Sequence, residues 1–176
     1  MKEKGLVTVV NENDEVIGLE RPSVVRKRKL IHRSSHLLLF DQNKRVLLQE
    51  RTSDALIYPR LRSFSVNGTV EDETYEQCIH REMQEELGLS LHATSLFTFN
   101  DIYAGGQDRA FKRVFYASYN GQELTINRGE VGDVVWMLWT ELKKDIAENP
   151  RKYVPPFLKG ISQCIKEYEH RLPIST

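Results

Sequence analysis

Three carboxylates at helical spacing constrain this chain more than any other feature: Glu82, Glu85 and Glu86 stand at i, i+3 and i+4, so on a helix they share one face. The stretch that holds them, Gly68 to Leu89, carries its own helix signals. Thr74 followed by Gln77 reads as a capping box that starts the helix, and Gly88 reads as the residue that ends it. Like charges one turn apart repel, and the sequence sets only His80 and Arg81 beside them. Such a face is either a solvated acidic surface or the seat of a cation. Hard divalent cations such as magnesium prefer carboxylate oxygens and often bridge phosphates.

Composition narrows the setting. At 176 residues the chain is long enough for one sizeable core and too short for two ordinary domains, so residues 1–176 are read as one domain. Lys and Arg balance Asp and Glu at 25 each, which leaves no global field to draw the chain to nucleic acid or a membrane. Cys78 and Cys164 are too sparse for a disulfide scaffold and fit a reducing, cytoplasmic setting. No stretch approaches the roughly 18 apolar residues of a membrane span, and MKEKGLVTVV has no long apolar segment.

In chain order, Leu6–Val10 and Val16–Leu19 flank the turn Asn11–Asp14 and predict a hairpin. Pro22 opens a short helix that leads into Arg26, Lys27, Arg28 and Lys29, a run read as a solvated helix end. Strands are predicted at Ser35–Phe40, Arg45–Glu50 and Arg62–Val66, with a loop carrying Pro59 between the last two. After the acidic helix come strands at Thr94–Tyr103 and Ala110–Tyr119, around a binding-loop candidate at Ala104–Asp108. A strand at Val131–Trp139, a helix from Thr140 or Glu141 to near Asn149, and an amphipathic helix from Pro155 to Leu172 complete the chain. Strands in mixed order around a central helix predict an α+β fold.

From Glu73 onward the acidic stretch resembles the Nudix box, G-x5-E-x7-R-E-U-x-E-E-x-G-U with U apolar. Glu73, Arg81, Glu82, Met83, Glu85, Glu86, Gly88 and Leu89 all match it. The first glycine of the box falls at Asn67, and Gly68 comes one residue too close to Glu73. The resemblance implies an α/β/α sandwich around a central mixed sheet, with an N-terminal β-hairpin and a C-terminal helix. It implies a Mg2+ cofactor, or Mn2+ in its place, with Glu82, Glu85 and Glu86 as ligands and a backbone carbonyl from the glycine region, here Gly68. Arg81 and Glu73 become the supporting pair that fixes the geometry of the box. Glu85, Glu86, Arg81 and Glu130 form the expected catalytic set. Glu130, in RGEVGDVVW, is the carboxylate chosen from outside the helix, with Asp133, Asp101 and Asp108 as alternatives.

Other segments resemble the branch that includes isopentenyl-diphosphate isomerase: the V-N-E-N-D-E-V-I-G hairpin, L-I-H-R before a strand ending in Leu39-Phe40, G-E-V before a tryptophan strand, and the C-terminal helix. The isomerase's Cys-Gly-His is Asn67-Gly68-Thr69 here, and its Glu-x-Glu is Asp108-Arg109-Ala110. The cysteine, the acid and a metal histidine are therefore absent. His32 stands at the place of another isomerase metal histidine; it and His36 are read as structural.

The function implied is magnesium-dependent hydrolysis of a diphosphate linkage in a nucleoside diphosphate derivative or similar metabolite. A non-catalytic nucleotide-binding module of the same fold and an isomerase are the alternatives. Tyr58, Tyr103, Phe111, Arg51, Arg60, Arg62, Arg109 and Lys112 are candidates for stacking a base or gripping phosphate. Leu61 stands where the family usually has a tryptophan after the proline of this loop. Dimers are common in the family, and a homodimer is the assembly considered, though no motif here marks an interface.

Overall fold

The computed structural model describes residues 5–102 and 108–174, and the fold is organised on strand β3 (His32–Phe40). Its segment Leu37 to Phe40 is at most 1% exposed, as a strand must be when both faces of its sheet are covered. β3 pairs in parallel with β8 (Ala110–Ser118) and antiparallel with β6 (Val66–Thr69). β7 (Thr94–Asn100) adds to β8, while β4 (Arg45–Arg51) meets the end of β3 and pairs with β9 (Val131–Leu138) and the two-residue β5 (Arg62–Ser63). The hairpin of β1 (Val7–Val10) and β2 (Val16–Glu20) joins through Val9 opposite His32.

Alternation along β3 divides the core in two. Leu37 and Leu39 face the layer built by α2 (Tyr75–Leu87), whose Cys78, Ile79, Met83 and Leu87 are fully buried. Leu38 and Phe40 face the opposite layer of α3 (Trp139–Glu148) and α4 (Pro155–Gln163), where Trp139, Leu142, Phe157 and Ile161 are buried. The result is the expected α/β/α sandwich on a mixed sheet. Both cysteines are buried and unpaired, and no helix among the described residues is long and apolar enough to cross a membrane.

α2 begins and ends as its sequence dictates. The Thr74 hydroxyl accepts the Gln77 N–H at 3.1 Å, and the Gln77 side chain accepts the Thr74 N–H at 2.8 Å. Gly88 closes the helix in the left-handed region with φ 68°. The N-terminal hairpin is tied to the start of α2 by charge and ring contacts. Asp14, itself at φ 61°, accepts from Arg33 at 2.7 Å and from the Tyr75 hydroxyl at 3.1 Å. Arg33 and Arg113 lie over the two sides of the Tyr75 environment, 5.1 and 4.2 Å from its ring centre.

Several boundaries differ from those predicted. The strand expected at Arg62–Val66 is split into β5 and β6, because Phe64 and Ser65 turn inward: Phe64 joins the α4-side core, and the Ser65 hydroxyl bonds the Leu47 carbonyl at 2.6 Å. Gly68, expected in a turn, is a strand residue of β6 opposite Ser35. α3 starts at Trp139 rather than Thr140, drawn in by the burial of the indole. The C-terminal helix leaves α geometry at Cys164, passing through a π-helical turn at Cys164–Tyr168 and a 3-10 turn at Glu169–Arg171. α1 (Pro22–Arg28) ends in Arg26, Lys27 and Arg28, all exposed, as a solvated basic end. Tyr103 and residues 104–107 of the candidate loop lie outside the described residues.

The capping box gives a direct stability test. Thr74→Ala leaves two helix N–H groups without their cap and is expected to lower unfolding free energy by about 1 kcal/mol. Urea denaturation followed by circular dichroism measures it, and an unchanged midpoint would show that the cap contributes nothing.

Candidate active site

The polar face of α2 divides into a buried part and a rim. Glu82 and Glu86 are only 6% and 5% exposed, one turn apart and turned into a cleft, while the Glu85 side chain sits at 37% on the outer edge. Sharing a helix face in sequence thus did not give the three carboxylates a common environment. Burial, followed by the charge of Glu82, pushes the Glu86 carboxyl well above the usual carboxylate range; hydrogen bonds from Asn67 and Gln49 pull it back in part.

Arg81 holds this face in place. Its guanidinium bonds Glu73 through Nη2 at 2.6 Å and Nε at 3.2 Å, Glu82 through Nη1 at 2.8 Å, and Glu85 through Nη1 at 3.2 Å. The Thr69 carbonyl accepts a further bond at 3.2 Å. Although burial opposes its charge, the Glu73 and Glu82 carboxylates drive the pKa of Arg81 upward, so it stays a fixed cation. A lysine could reach one of these partners at a time; the planar fork reaches all of them.

Gly68 is a glycine for steric reasons. A Cβ built there would lie 2.2 Å from Cγ of Glu82, so only a bare backbone lets the Glu82 stem cross β6. Asn67, at the place of the first box glycine, uses its side chain. The chain of bonds runs from His36 Nδ1 to Asn67 Oδ1 at 3.1 Å, from Asn67 Nδ2 to Gln49 Oε1 at 2.9 Å, and from Gln49 Nε2 to Glu86 Oε2 at 3.1 Å. The Asn67 backbone N–H also donates to Glu86 at 3.2 Å. Sequence reasoning assigns no role to Gln49; its one outward sign is a polar side chain closing the apolar run Val46–Leu48, and it is 3% exposed.

Glu130 reaches this site because its loop is laced to the C-terminal end of α2. Thr125 and Asn127 donate their N–H groups to the Leu87 and Glu86 carbonyls at 2.9 and 3.0 Å, and the Glu130 N–H donates to the Asn127 carbonyl at 3.0 Å. Carboxylate oxygens of Glu82, Glu86 and Glu130 lie within 4.8 Å of one another. Of the other carboxylates considered, Asp133 pairs with Arg128 at 3.2 Å and Asp101 lies 3.7 Å from Lys159, while Asp108 lines the same cleft but is held between His32 and Lys112.

These groups line a cleft of about 390 Å³. Its acidic lining is the buried pair Glu82 and Glu86 with the exposed Glu130, and Arg51 and Lys112 contribute cations. Lys112 is 2% exposed and bonds Asp108 at 2.7 Å; the His32 ring meets the same carboxylate at 3.1 Å. Burial works against the charge of Asp108, but Lys112 and His32 hold its carboxyl well below the usual range. Of the substrate candidates, Arg51, Tyr58 and Lys112 line the cleft, and Arg109 lines an adjoining chamber. Arg62 instead faces Asp145 at 4.0 Å, Phe111 and Leu61 pack on the core, and Arg60 is exposed. Arg51 also donates to the Ile57 carbonyl at 2.9 Å, fixing the loop that follows it. Cys78 is buried, and its thiol is pushed upward by burial and by Glu82, so it offers no ready nucleophile.

A set of carboxylate oxygens converging at the base of a cleft, two of them desolvated and mutually repelling, suits a hard divalent cation.

The chain is similar to known proteins over most of its length. Residues 30–157 match the NUDIX domain. A prenyl-diphosphate phosphatase of Methanosarcina mazei is 32% identical over 165 residues, covering 92% of this chain and 96% of that protein. An isopentenyl-diphosphate Delta-isomerase of Aromatoleum aromaticum is 25% identical over 151 residues, 84% of this chain and 79% of its own length. Among solved structures, one from Deinococcus radiodurans superposes with a TM-score of 0.68 at 22% identity, over 82% of this chain and 90% of that one.

His36 sets a pH dependence of stability. Burial and the nearby Lys112 lower its pKa from 6.5 to about 3, so the folded chain refuses a proton that the unfolded chain takes up below pH 6.5. The stability this neutral ring contributes is full above pH 6.5 and is lost as the pH falls toward 3, by up to about 1.4 kcal/mol per pH unit. His36→Gln, which retains a donor for Asn67, is expected to flatten this slope. Urea midpoints at pH 7, 6 and 5 measure it; parallel profiles for the two proteins would reject the assignment.

Proposed function

The chain belongs to the NUDIX family, and we propose that it is a divalent-metal-dependent hydrolase that cleaves the diphosphate of a small organic diphosphate. The observation that carries this reading is the convergence of Glu82, Glu86 and Glu130 within 4.8 Å in a cleft that Arg51 and Lys112 also line. Glu82, Glu86 and Glu130 would hold Mg2+ or Mn2+, with Glu85 and the Gly68 backbone as further ligands. Bound there, such an ion neutralises phosphate oxygens and raises the acidity of water.

The remaining chemistry falls to the protein's own groups. Arg51 and Lys112 face the same cleft and would bind the diphosphate oxygens, orienting the phosphorus toward the carboxylates. Glu130, exposed at the cleft edge, would accept the proton of the attacking water as the new P–O bond forms and the bridging P–O bond breaks. Arg81 and Glu73 act by position: they set the side-chain angles of Glu82 and Glu85 without touching substrate.

Two features favour a prenyl diphosphate as the organic partner. The cleft lining includes the apolar residues Ala55, Ile57, Val154, Pro156 and Phe157, and a relative covering nearly the whole chain is named a prenyl-diphosphate phosphatase. A nucleoside diphosphate derivative is the second reading, supported by Tyr58, a half-buried ring on the cleft wall available for stacking. The isomerase reading finds no accessible thiol among the described residues, where Cys78 and Cys164 are both buried.

Purified protein with Mg2+ is expected to release phosphate or a monophosphate from prenyl diphosphates faster than from nucleoside diphosphate derivatives; the reverse order would favour the second reading. No product from either panel would end the hydrolase reading. Glu86→Gln and Glu85→Gln should abolish turnover while circular dichroism stays unchanged. Arg81→Lys, which loses the bridging fork, should lower kcat/KM by about 10–100-fold. Unchanged turnover in these variants would remove the proposed site.

A further inference from the structure

Beside the catalytic cleft lies a second chamber of about 340 Å³, and the two share His32, Arg51, Ile57, Thr69 and Asp108 along their common wall. The chamber is built differently from the cleft. Its base comes from Val7 and Val25, 3% and 6% exposed, which with Leu30 form a small apolar cluster under α1. Leu56 and Ile57 also line it, from the loop that Arg51 pins by its bond to the Ile57 carbonyl. Leu56 is 79% exposed, the most exposed of the large apolar side chains among the described residues, and it borders this chamber beside Val7, Val25 and Leu30. Three cations, Arg26, Lys29 and Arg109, stand around the opening. Their aliphatic stems can cover an apolar guest while the charged ends remain in water.

We propose that this chamber takes the hydrocarbon chain of a prenyl diphosphate beyond its first isoprene unit, and that the loop 52–61 and α1 set which chain lengths the protein prefers. The inference rests on the prenyl reading above and extends it to a specificity-determining surface. A diphosphate anchored between the carboxylates and Arg51 has Arg51 and Ile57 at the boundary of both spaces, so the organic group leaves the cleft directly into the chamber. A free-standing apolar ligand is disfavoured, since the shared wall carries His32 and Asp108 and the opening is ringed by cations. A guest apolar along its length and anionic at one end meets both demands.

The test uses the full chain and Leu56, which is exposed enough to be replaced without disturbing the core. kcat/KM is measured for dimethylallyl, geranyl and farnesyl diphosphates with the native protein and with Leu56→Ser and Leu56→Asp. The native protein is expected to favour the longer chains. In the variants the farnesyl-to-dimethylallyl ratio should fall about tenfold, the effect of losing roughly two buried methylene contacts. In parallel, calorimetry measures binding of farnesyl and dimethylallyl monophosphates. Turnover with the same chain-length ratio in all three proteins would overturn the chamber assignment and leave the hydrolase reading standing. Absence of turnover, combined with chain-length-dependent binding that is lost in Leu56→Asp, would sink the hydrolase reading and keep the chamber. Neither turnover nor chain-length-dependent binding would overturn both.

Discussion

Two carboxylates buried one turn apart on a helix repel each other in a medium that screens them poorly, and the arrangement of this protein is largely what makes that tolerable. Arg81 neutralises Glu82 from one side and ties it to Glu73 and Glu85. Glu86 is hydrogen-bonded by dipoles instead, the Asn67 N–H and the Gln49 amide, which soften its cost without cancelling its charge. The asymmetry leaves one carboxylate compensated and its neighbour short of positive charge. Such a deficit beside an open cleft is what the proposed cation would offset.

The same need explains details that look unrelated. β6 must run bare under the Glu82 stem, which is why Gly68 stands in a strand that otherwise pairs normally with β3. Gln49 must be buried in a strand of apolar residues, because the amide that reaches Glu86 has to come from the sheet. His36 is neutral and buried as the far end of the line of bonds through Asn67. Each departs from what its element would choose on its own. Together they form one polar seam crossing the interface between α2 and the sheet.

Much of this was readable in the sequence, and the reasons differ by feature. The acidic helix, its cap at Thr74 and its end at Gly88 are local, written in neighbours a few residues apart, and the structure has them where the pattern puts them. The sandwich followed from the Nudix resemblance more than from periodicity. The split between Glu82 and Glu86 on one hand and Glu85 on the other was hidden, because i, i+3 and i+4 share a face while burial depends on what packs against it. Asn67 was visible as a mismatch with the box, but its meaning needed Gln49 and His36, residues distant in sequence. Phe111 shows a different limit: a ring suited to stacking a base is equally suited to a core, the sequence leaves both readings open, and here it packs on the core.

The parallel pairing of β3 with β8 has a consequence for how the protein comes into being. Parallel neighbours cannot be joined by a tight turn, and here the connection from Phe40 to Ala110 contains the whole of α2 and the strands around it. Glu130 lies later still, brought home only when its loop laces to the end of α2. Formation of the cleft therefore requires closures of long sequence separation that the helix by itself does not. While the chain is being synthesised, the acidic helix can form and cap itself well before anything exists for it to act upon.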